Sequence, residues 1–206
     1  MILSLNFYYA VPGLEEAVLR QRLRASDVRE RLNIPRGRVL RRVAGSGEVP
    51  DVIWENTFPN VAAHLCDMTV RGASAEFEAI RAGMRKLYRR FERPLYEICG
   101  DSAWRENATG TEPARVGIDW IFCEPDRCPQ ALAAVRMSFP DESASGGYRM
   151  LRAIAPERDL PPLLLQQELV WASPSQPAPA AKQAAAWREA LNALGATVVS
   201  TTWAVA

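Results

Sequence analysis

The only histidine in the chain is His64, and its chemistry suits the transfer of a proton. An imidazole titrates near physiological pH, so it is the natural group to take a proton from a phenol or an enol. His64 falls on the same predicted helical stripe as Val61 and Met68. A histidine on an apolar helix face also occurs as a packed side chain with one hydrogen bond. Both interpretations of His64 therefore stay open, and the catalytic one makes it the candidate proton carrier.

Polar side chains recur at every second position near the N-terminus. Ser4, Asn6 and Tyr8 alternate with apolar residues in the segment ILSLNFYY at residues 2–9. Because side chains of a strand alternate between its two faces, these three share one face. Polar groups inside an apolar pocket could orient a substrate oxygen, whereas Asn6 near a strand end would be satisfied by backbone or water. Asn6 and Tyr8 are the candidate substrate-binding residues.

Two aromatic residues, Trp54 and Tyr96, close predicted strands and could line an aromatic pocket. Aromatic side chains offer a large apolar area together with a polar group, although ordinary core packing uses them in the same way. Glu55 follows Trp54 and would be a candidate base if buried, whereas an exposed strand end is the simpler interpretation. Trp54 and Tyr96 therefore join the candidate substrate-binding residues.

Other catalytic and metal-binding patterns are missing from the sequence. It contains no phosphate-binding loop, no dinucleotide-binding glycine pattern and no paired-histidine motif. Its four cysteines, Cys66, Cys99, Cys123 and Cys128, form no CxxC pair, and with one histidine they predict reduced thiols and no metal site. We expect neither a metal nor a cofactor.

Composition limits the class of protein. Hydrophobic residues make up 48% of the 206 residues, which is enough to bury one large or two small cores. The first 100 residues hold 16 basic and 12 acidic residues and the remainder 9 and 12, giving charges of +4 and −3. Nucleic-acid binding usually needs a much more basic domain. Without an apolar run of membrane-spanning length or a signal peptide, we expect a cytoplasmic protein with neither nucleic-acid nor membrane partners.

The pattern of residues 1–99 predicts the order strand, helix, strand, strand, helix, strand. The predicted strands are residues 2–9, 38–44, 51–58 and 95–99. The first helix starts at Leu14 and is interrupted near Ser26. The second is divided at residues 72–74, and its last piece runs to Pro94. A basic cluster in that piece is predicted to be a solvated helix face: Arg85, Lys86, Arg89, Arg90 and Arg93.

A second round follows the polar, turn-rich segment at residues 101–113, which predicts a linker between domains at 1–100 and 114–206. Strands are predicted at residues 115–123, 148–153, 163–171 and 197–205, with helices at 129–139 and 180–194. Trp54 and Trp171 close the third strand of each round. The repeated order favours an α+β fold of two tandem ferredoxin-like βαββαβ domains. Packing their sheets face to face, as an internal pseudo-dimer, would cover the bare sheet faces. A higher oligomer is left open.

The segment 52–98, VIWENTFPNVAAHLCDMTVRGASAEFEAIRAGMRKLYRRFERPLYEI, resembles the dimeric α/β-barrel superfamily, in particular its antibiotic-biosynthesis-monooxygenase-like group. The features that carry the resemblance are a strand ending in Trp54, a helix with His64, a helix opening at Ser74 and a closing strand at Tyr96. They cover about a quarter of the chain. The superfamily shares an architecture but includes oxygenases, haem degraders, isomerases and dehydratases.

The resemblance implies a small-molecule pocket between the sheet and its helices in the first half. Haem-degrading relatives place a histidine ligand near the position of Ile80 or Arg81, and its absence here argues against haem. Two functions follow as hypotheses: a cofactor-independent monooxygenase-like enzyme acting on a small phenolic or enolic molecule, and a non-catalytic protein that binds a small hydrophobic or aromatic molecule or acts as a scaffold. An enzyme needs a pocket where polar groups converge, whereas a scaffold predicts a filled interior.

Overall fold

The computed structural model describes residues 1–102, 115–138, 147–155, 160–169 and 180–206. Most of the predicted linker, residues 103–113, and the predicted strand end at Trp171 lie outside the described residues. The described chain is α+β. Its strands are β1 (Ile2–Ala10), β2 (Arg38–Ala44), β3 (Val52–Phe58), β4 (Tyr88–Glu92), β5 (Leu95–Ser102), β6 (Arg115–Phe122), β7 (Tyr148–Ala153), β8 (Leu163–Leu169) and β9 (Thr197–Val205). Its helices are α1 (Glu15–Arg31), α2 (Val61–Gly72), α3 (Ala75–Met84), α4 (Cys128–Ser138) and α5 (Ala180–Ala193).

The chain divides into two compact units. The first comprises Met1–Val43, Gly47–Glu97 and Ala204–Ala206, and the second comprises Ala44–Ser46 and Ile98–Trp203. No helix among the described residues is long and apolar enough to cross a membrane.

In the first unit, β1 is the central strand of an antiparallel arrangement. It pairs with β3 along most of its length, with Asn6 opposite Trp54, and β2 pairs with the far side of β3. Its other edge pairs with β5 at Ile2 to Ser4 and with β4 from Phe7 to Ala10. Because β1 is flanked on both edges, all nine of its residues are buried. Its side chains can therefore point toward an interior on either face.

Side-chain caps fix the starts of two helices in the first unit. The Asn60 side chain accepts a hydrogen bond from the Ala63 amide at the start of α2, and the Ser74 hydroxyl accepts one from the Phe77 amide at the start of α3. Caps of this kind satisfy amides that have no partner inside the helix. The division of the second helical segment near Gly72 is therefore confirmed, and α3 begins where the serine predicts.

Two predictions about the helices are wrong. The interruption of α1 near Ser26 does not occur, since α1 is one helix of 17 residues. The helix predicted to reach Pro94 ends at Met84, and residues 88–92 form β4 instead. Pairing with β1 explains this, because Tyr8 lies opposite Phe91 and Tyr9 opposite Arg90 in that ladder. The basic cluster at residues 85–93 is therefore no helix face.

The second unit contains β6 to β9 with α4 and α5. Strand β8 pairs antiparallel with both β6 and β7, and β9 lies on the other side of β6. Its core packs apolar residues of the strands against both helices, including Leu165, Ala131, Trp187 and Leu191. Gly195 ends α5 in the left-handed conformation, at a φ of 73°, which glycine adopts without steric cost. The predicted stop at Gly195 and the strand that follows are confirmed.

Candidate functional site

A cavity of about 480 Å³ lies within the first unit. It is lined by residues from β1, β4 and the helices α1, α2 and α3, on the side of the sheet where the resemblance predicts a pocket. This volume is within the range of roughly 300–1,000 Å³ that is usual for small-molecule sites. The interior of the first unit is therefore not completely filled by its own side chains.

The lining combines aromatic, aliphatic and basic side chains. Its uncharged polar and aromatic members are Asn6, Tyr8, Tyr88, Phe77 and Phe91, and its aliphatic members are Ala25, Ile80 and Met84. The remaining five are all arginines: Arg22, Arg71, Arg81, Arg85 and Arg93. Neither Asp nor Glu occurs among these described lining residues. The lining is thus basic, although Arg81 is partly exposed and pairs with Glu78 at 2.9 Å.

Strand β1 positions the two polar residues that alternation predicts. Asn6 and Tyr8 both line the cavity, and the Asn6 side-chain amide donates a hydrogen bond of 3.3 Å to the Tyr8 hydroxyl. The Asn6 Oδ1 atom is buried without a hydrogen-bond partner among the described residues. A buried acceptor of this kind costs free energy unless something donates to it. Asn6 therefore lines the cavity with a side chain whose acceptor no described residue uses.

Three rings form an aromatic wall, defined by Tyr8, Tyr88 and Phe91. The ring of Tyr8 lies 5.0 Å from that of Phe91 and 5.9 Å from that of Tyr88, and Tyr88 and Phe91 are 5.5 Å apart. Such tilted pairs at 4.5–7 Å are favourable packing arrangements. Burial raises the pKa of Tyr88, so its phenol stays protonated at neutral pH. This wall offers an uncharged aromatic surface to a ligand.

Arg22 is the most deeply buried cation of the lining. It projects from α1 at 2% exposure, and its guanidinium stacks on the Trp54 ring at 4.8 Å. One amino group donates to Ser26 Oγ at 3.4 Å, while Nε has no hydrogen-bond partner among the described residues. Burial lowers the pKa of Arg22, and the charges of Arg29 and Arg93 act in the same direction.

Arg71 and Arg93 bring further positive charge to the same cavity. Burial lowers the pKa of Arg71 to about 10, with the charge of Arg93 as the next cause and attraction to Asp67 opposing it. The pKa of Arg93 is also lowered, chiefly by burial. The guanidinium of Arg93 lies 5.3 Å from the Phe91 ring, and its Nε is buried without a hydrogen-bond partner among the described residues. The positive charges of these arginines repel one another within the cavity.

Asp67 forms an ion pair with Arg71, and its carboxylate is already engaged by Arg29. Both of its oxygens accept hydrogen bonds from Arg29, one of them at 3.1 Å, so the pair is bidentate. Arg71 Nε lies 3.3 Å from Asp67 Oδ2, close enough for an ion pair but without hydrogen-bond geometry. A bidentate arginine–carboxylate pair is among the stronger polar contacts in proteins. Asp67 therefore pairs more closely with Arg29 than with Arg71.

Trp54, one of the predicted binding residues, lies directly behind the cavity. Its indole nitrogen donates to the Arg36 carbonyl at 3.1 Å, and its ring carries Arg22 on its face together with Arg29 at 4.5 Å. Paired strand residues project from the same face, so Trp54, opposite Asn6, is on the cavity side of the sheet. Trp54 thus holds an arginine that lines the cavity, and it is not itself among the lining residues.

His64 and Tyr96 do not line this cavity. The His64 Nε2 atom lies 3.4 Å from Ser4 Oγ, and its ring meets Phe58 edge-on at 5.1 Å. Ser4 precedes the lining residue Asn6 by two positions on the same strand face. His64 therefore lies near the cavity without lining it. Tyr96 pairs with Leu3, which projects from the opposite face of β1. The roles predicted for His64 and Tyr96 stay predictions.

Glu55 is not at an exposed strand end. It is buried at 3% exposure and accepts a hydrogen bond of 2.6 Å from Arg38 Nε. The two side chains form a buried ion pair. The exposed interpretation of Glu55 is therefore wrong, and its carboxylate serves the pairing of β2 with β3.

Sequence reasoning missed the arginines of the cavity, although a signal was present. Positions 18, 22, 25 and 29 of α1 follow helical spacing, and all four are buried. Two of them are arginines, Arg22 and Arg29, placed in line with the apolar Val18 and Ala25. A basic residue in the middle of an apolar stripe predicts a buried charge, and buried charges usually have a partner. That pattern would have identified Arg22.

Solved structures with a similar fold include an anthrone oxidase-like protein, with 13% identity and a TM-score of 0.63 over 100% of this chain and 91% of that one. A proposed monooxygenase from Fusobacterium nucleatum subsp. nucleatum ATCC 25586 gives 9% identity and a TM-score of 0.63, covering 99% and 91% of the two chains. A second proposed monooxygenase, from Lactobacillus acidophilus NCFM, gives 10% identity and a TM-score of 0.55, covering 98% of this chain and 93% of that one.

These likenesses define the class of fold. At such low identity they show architecture alone. No protein-family model matches the sequence, and the search of curated proteins finds no match. The activity of this chain therefore has to be argued from its own cavity.

Proposed function

We propose that the protein is a cofactor-independent, monooxygenase-like enzyme that oxidises a small phenolic or enolic substrate in the cavity of the first unit. The observation that carries this proposal is the convergence of an unused acceptor, a phenol and several arginines on one partly aromatic cavity. A scaffold would have no need of such a space, and its interior would be filled. The fold shared with monooxygenase-like structures is compatible with this activity.

The lining suggests how the substrate is bound. Its ring would lie on the aromatic wall of Tyr8, Tyr88 and Phe91, and its hydroxyl would donate to Asn6 Oδ1. The Tyr8 hydroxyl already accepts from the Asn6 amide, so its own proton is available for a second substrate oxygen. This arrangement would fix the two substrate oxygen atoms in position before O₂ enters the cavity.

The arginines would stabilise the substrate as an anion. Ionisation at the second substrate oxygen, the one that accepts from Tyr8, gives a phenolate or enolate that nearby buried guanidinium groups favour over its neutral form, so the pKa of the bound substrate falls. The hydroxyl that donates to Asn6 keeps its proton. An electron-rich carbanion of this type can reduce O₂ without a cofactor. In an anthrone-type substrate, conversion of CH₂ to C=O takes one oxygen atom from O₂, and the other leaves as water. That oxidation releases four electrons, so no external reductant is needed.

His64 enters this proposal as the proton acceptor: its Nε2 atom lies 3.4 Å from Ser4 Oγ, and Ser4 precedes the lining residue Asn6 by two positions on β1. We expect His64→Ala to lower kcat with little change in KM, because the substrate contacts are made by other residues. Turnover equal to that of the wild type would remove His64 from the mechanism and leave anion formation to the arginines alone.

Oxygen uptake with a panel of anthrones and hydroxynaphthalenes tests the proposed function. We expect uptake with at least one member and a loss of about tenfold or more in kcat/KM for Asn6→Leu, which removes the acceptor at similar volume. Arg20→Met is the matched control, since Arg20 is 65% exposed and pairs only with Glu16 among its described ion-pair partners. Binding without oxygen uptake across the panel would instead favour a non-catalytic binding protein.

We also propose that the two units are tandem ferredoxin-like domains, near residues 1–100 and 114–206. The support is strand order. In the first unit β2, β3, β1 and β5 lie side by side in that order, and in the second unit β7, β8, β6 and β9 do the same. In each case the second, third, first and last strands of a βαββαβ unit are neighbours.

A further inference from the structure

The charge of the cavity exceeds what an uncharged phenol would need. Arg22, Arg71 and Arg93 all line it, and Asp67, the nearby carboxylate, is bound bidentately by Arg29. Arg22 is 2% exposed and Arg71 is 6% exposed, so water compensates these charges poorly. Gathering buried like charges is unfavourable unless an anion joins them. The positive charge of these arginines therefore exceeds the negative charge that Asp67 brings to them.

Two of these arginines have a donor that no described hydrogen bond uses. The Nε atoms of Arg22 and Arg93 are buried without a hydrogen-bond partner among the described residues. A guanidinium presents its donors as a planar fork that matches the two oxygens of a carboxylate. Asn6 Oδ1 adds an acceptor in the same cavity, which a carboxylate cannot satisfy because it has no proton to donate. The ligand must therefore carry a donor as well as an anion.

We infer that the substrate is a hydroxylated aromatic carboxylic acid, held through its carboxylate by Arg22, Arg71 and Arg93 and through its hydroxyl by Asn6. This inference rests on the proposed function for the identity of the cavity as the substrate site. The aromatic wall supplies the surface for the ring, and the volume of about 480 Å³ accommodates a fused ring system with these two substituents. The carboxylate would remain intact during oxidation and would serve binding only.

The test compares three probes by isothermal titration calorimetry: 6-hydroxy-2-naphthoate, whose two substituents are too far apart to bond each other, 2-naphthol without the carboxylate, and 2-naphthoate without the hydroxyl. We expect the first to bind about tenfold or more tightly than 2-naphthol, since hydrogen bonds to charged groups contribute more than about 1.4 kcal/mol, which is tenfold in affinity. We expect it to bind about fivefold more tightly than 2-naphthoate, since the contact between the hydroxyl and Asn6 joins neutral groups. Binding of 6-hydroxy-2-naphthoate and 2-naphthol within about threefold of each other would overturn the inference.

Variants assign the two contacts. Arg93→Met should remove most of the preference for 6-hydroxy-2-naphthoate over 2-naphthol, and Asn6→Leu most of its preference over 2-naphthoate. Arg22→Lys is a second variant that keeps the charge on the Trp54 ring but loses the fork, and we expect it to weaken carboxylate binding. Arg20→Met, on the exposed face of α1, should leave all three affinities unchanged. Full carboxylate preference in both Arg93→Met and Arg22→Lys would contradict the assignment.

The outcome is separable from that of the proposed function. Selective carboxylate binding without oxygen uptake would support the ligand class and reject the oxidation. Oxygen uptake on uncharged phenols, with no preference for their carboxylated counterparts, would support the oxidation and reject the ligand class.

Discussion

At the scale of single residues, the burial of His64 sets its charge as well as its contacts. Its ring is 4% exposed and packs against Phe58 and Ser4. Burial lowers the pKa of His64, the charges of Arg71 and Arg93 lower it further, and Asp67 opposes them. The imidazole is therefore neutral at physiological pH, as a proton acceptor has to be.

This lowered pKa predicts acid sensitivity. Because the unfolded chain binds a proton to His64 more readily than the folded one, the free energy of unfolding should fall as the pH drops below about 6.5. The loss should continue until the pH reaches the lower folded-state pKa. Urea unfolding at several pH values between 7.5 and 5.5 measures it, and His64→Asn should show a weaker pH dependence. The same slope in both proteins would contradict the prediction.

The candidate site was predictable from the sequence only in part, and single residues show why. Alternation within β1 predicts that Asn6 and Tyr8 share a face, because the period of a strand is independent of its surroundings. The burial of Arg71 and the partial burial of Arg93 depend on α2 and the chain after β4 meeting at one cavity. No local pattern contains that information.

At the scale of elements, the turn before β2 holds the indole that carries Arg22. Gly37 has a φ of 72°, and a Cβ atom built there would lie 2.2 Å from Trp54 Nε1. Gly13 has a φ of 84° but nothing within 4 Å of such an atom. The two glycines share the left-handed backbone and differ in the space around them.

This difference predicts unequal effects of alanine. Gly13→Ala should lower the free energy of unfolding by about 1–2 kcal/mol, the cost of a left-handed backbone. Gly37→Ala should lower it by clearly more, because the new methyl group must displace Trp54. Chemical denaturation of both variants beside the wild type measures the comparison. Equal losses would show that Trp54 yields without cost.

Elements also show where local patterns stop being reliable. Phe77, Ile80, Met84, Leu87 and Phe91 recur with helical spacing, which predicts one continuous helix. The chain leaves the helix at Met84, and Val11 donates a backbone hydrogen bond to the Leu87 carbonyl. Pairing with β1 then outweighs the local preference of residues 88–92. The strands and helices away from this segment follow their sequence patterns more closely.

At the scale of the whole chain, the four cysteines sample different surroundings in the two units. Cys66 is exposed and Cys128 is buried. Cys123 is half-buried, and its Sγ lies 3.4 Å from that of Cys128. Burial, followed by the hydrogen bond with Cys128, raises the pKa of Cys123 to about 12. The thiolate, which is the reactive form, is therefore scarce at Cys123.

Alkylation should follow that order. With iodoacetamide at pH 8, Cys66 should be modified well before Cys123, and peptide mass mapping over time gives both rates. In a denaturing concentration of urea the two rates should converge, since burial is then lost. Equal rates in the native protein would mean that the second unit exposes Cys123 more than its structure indicates.

The bidentate pairing of Asp67 with Arg29 has a practical consequence for handling the protein. With that carboxylate engaged, we expect the remaining arginines of the cavity to bind anions from the solvent. Phosphate, sulfate or citrate in a buffer would compete with any acidic ligand, whereas chloride at low concentration would compete least. Affinities compared between laboratories will agree only when the anion of the buffer is the same.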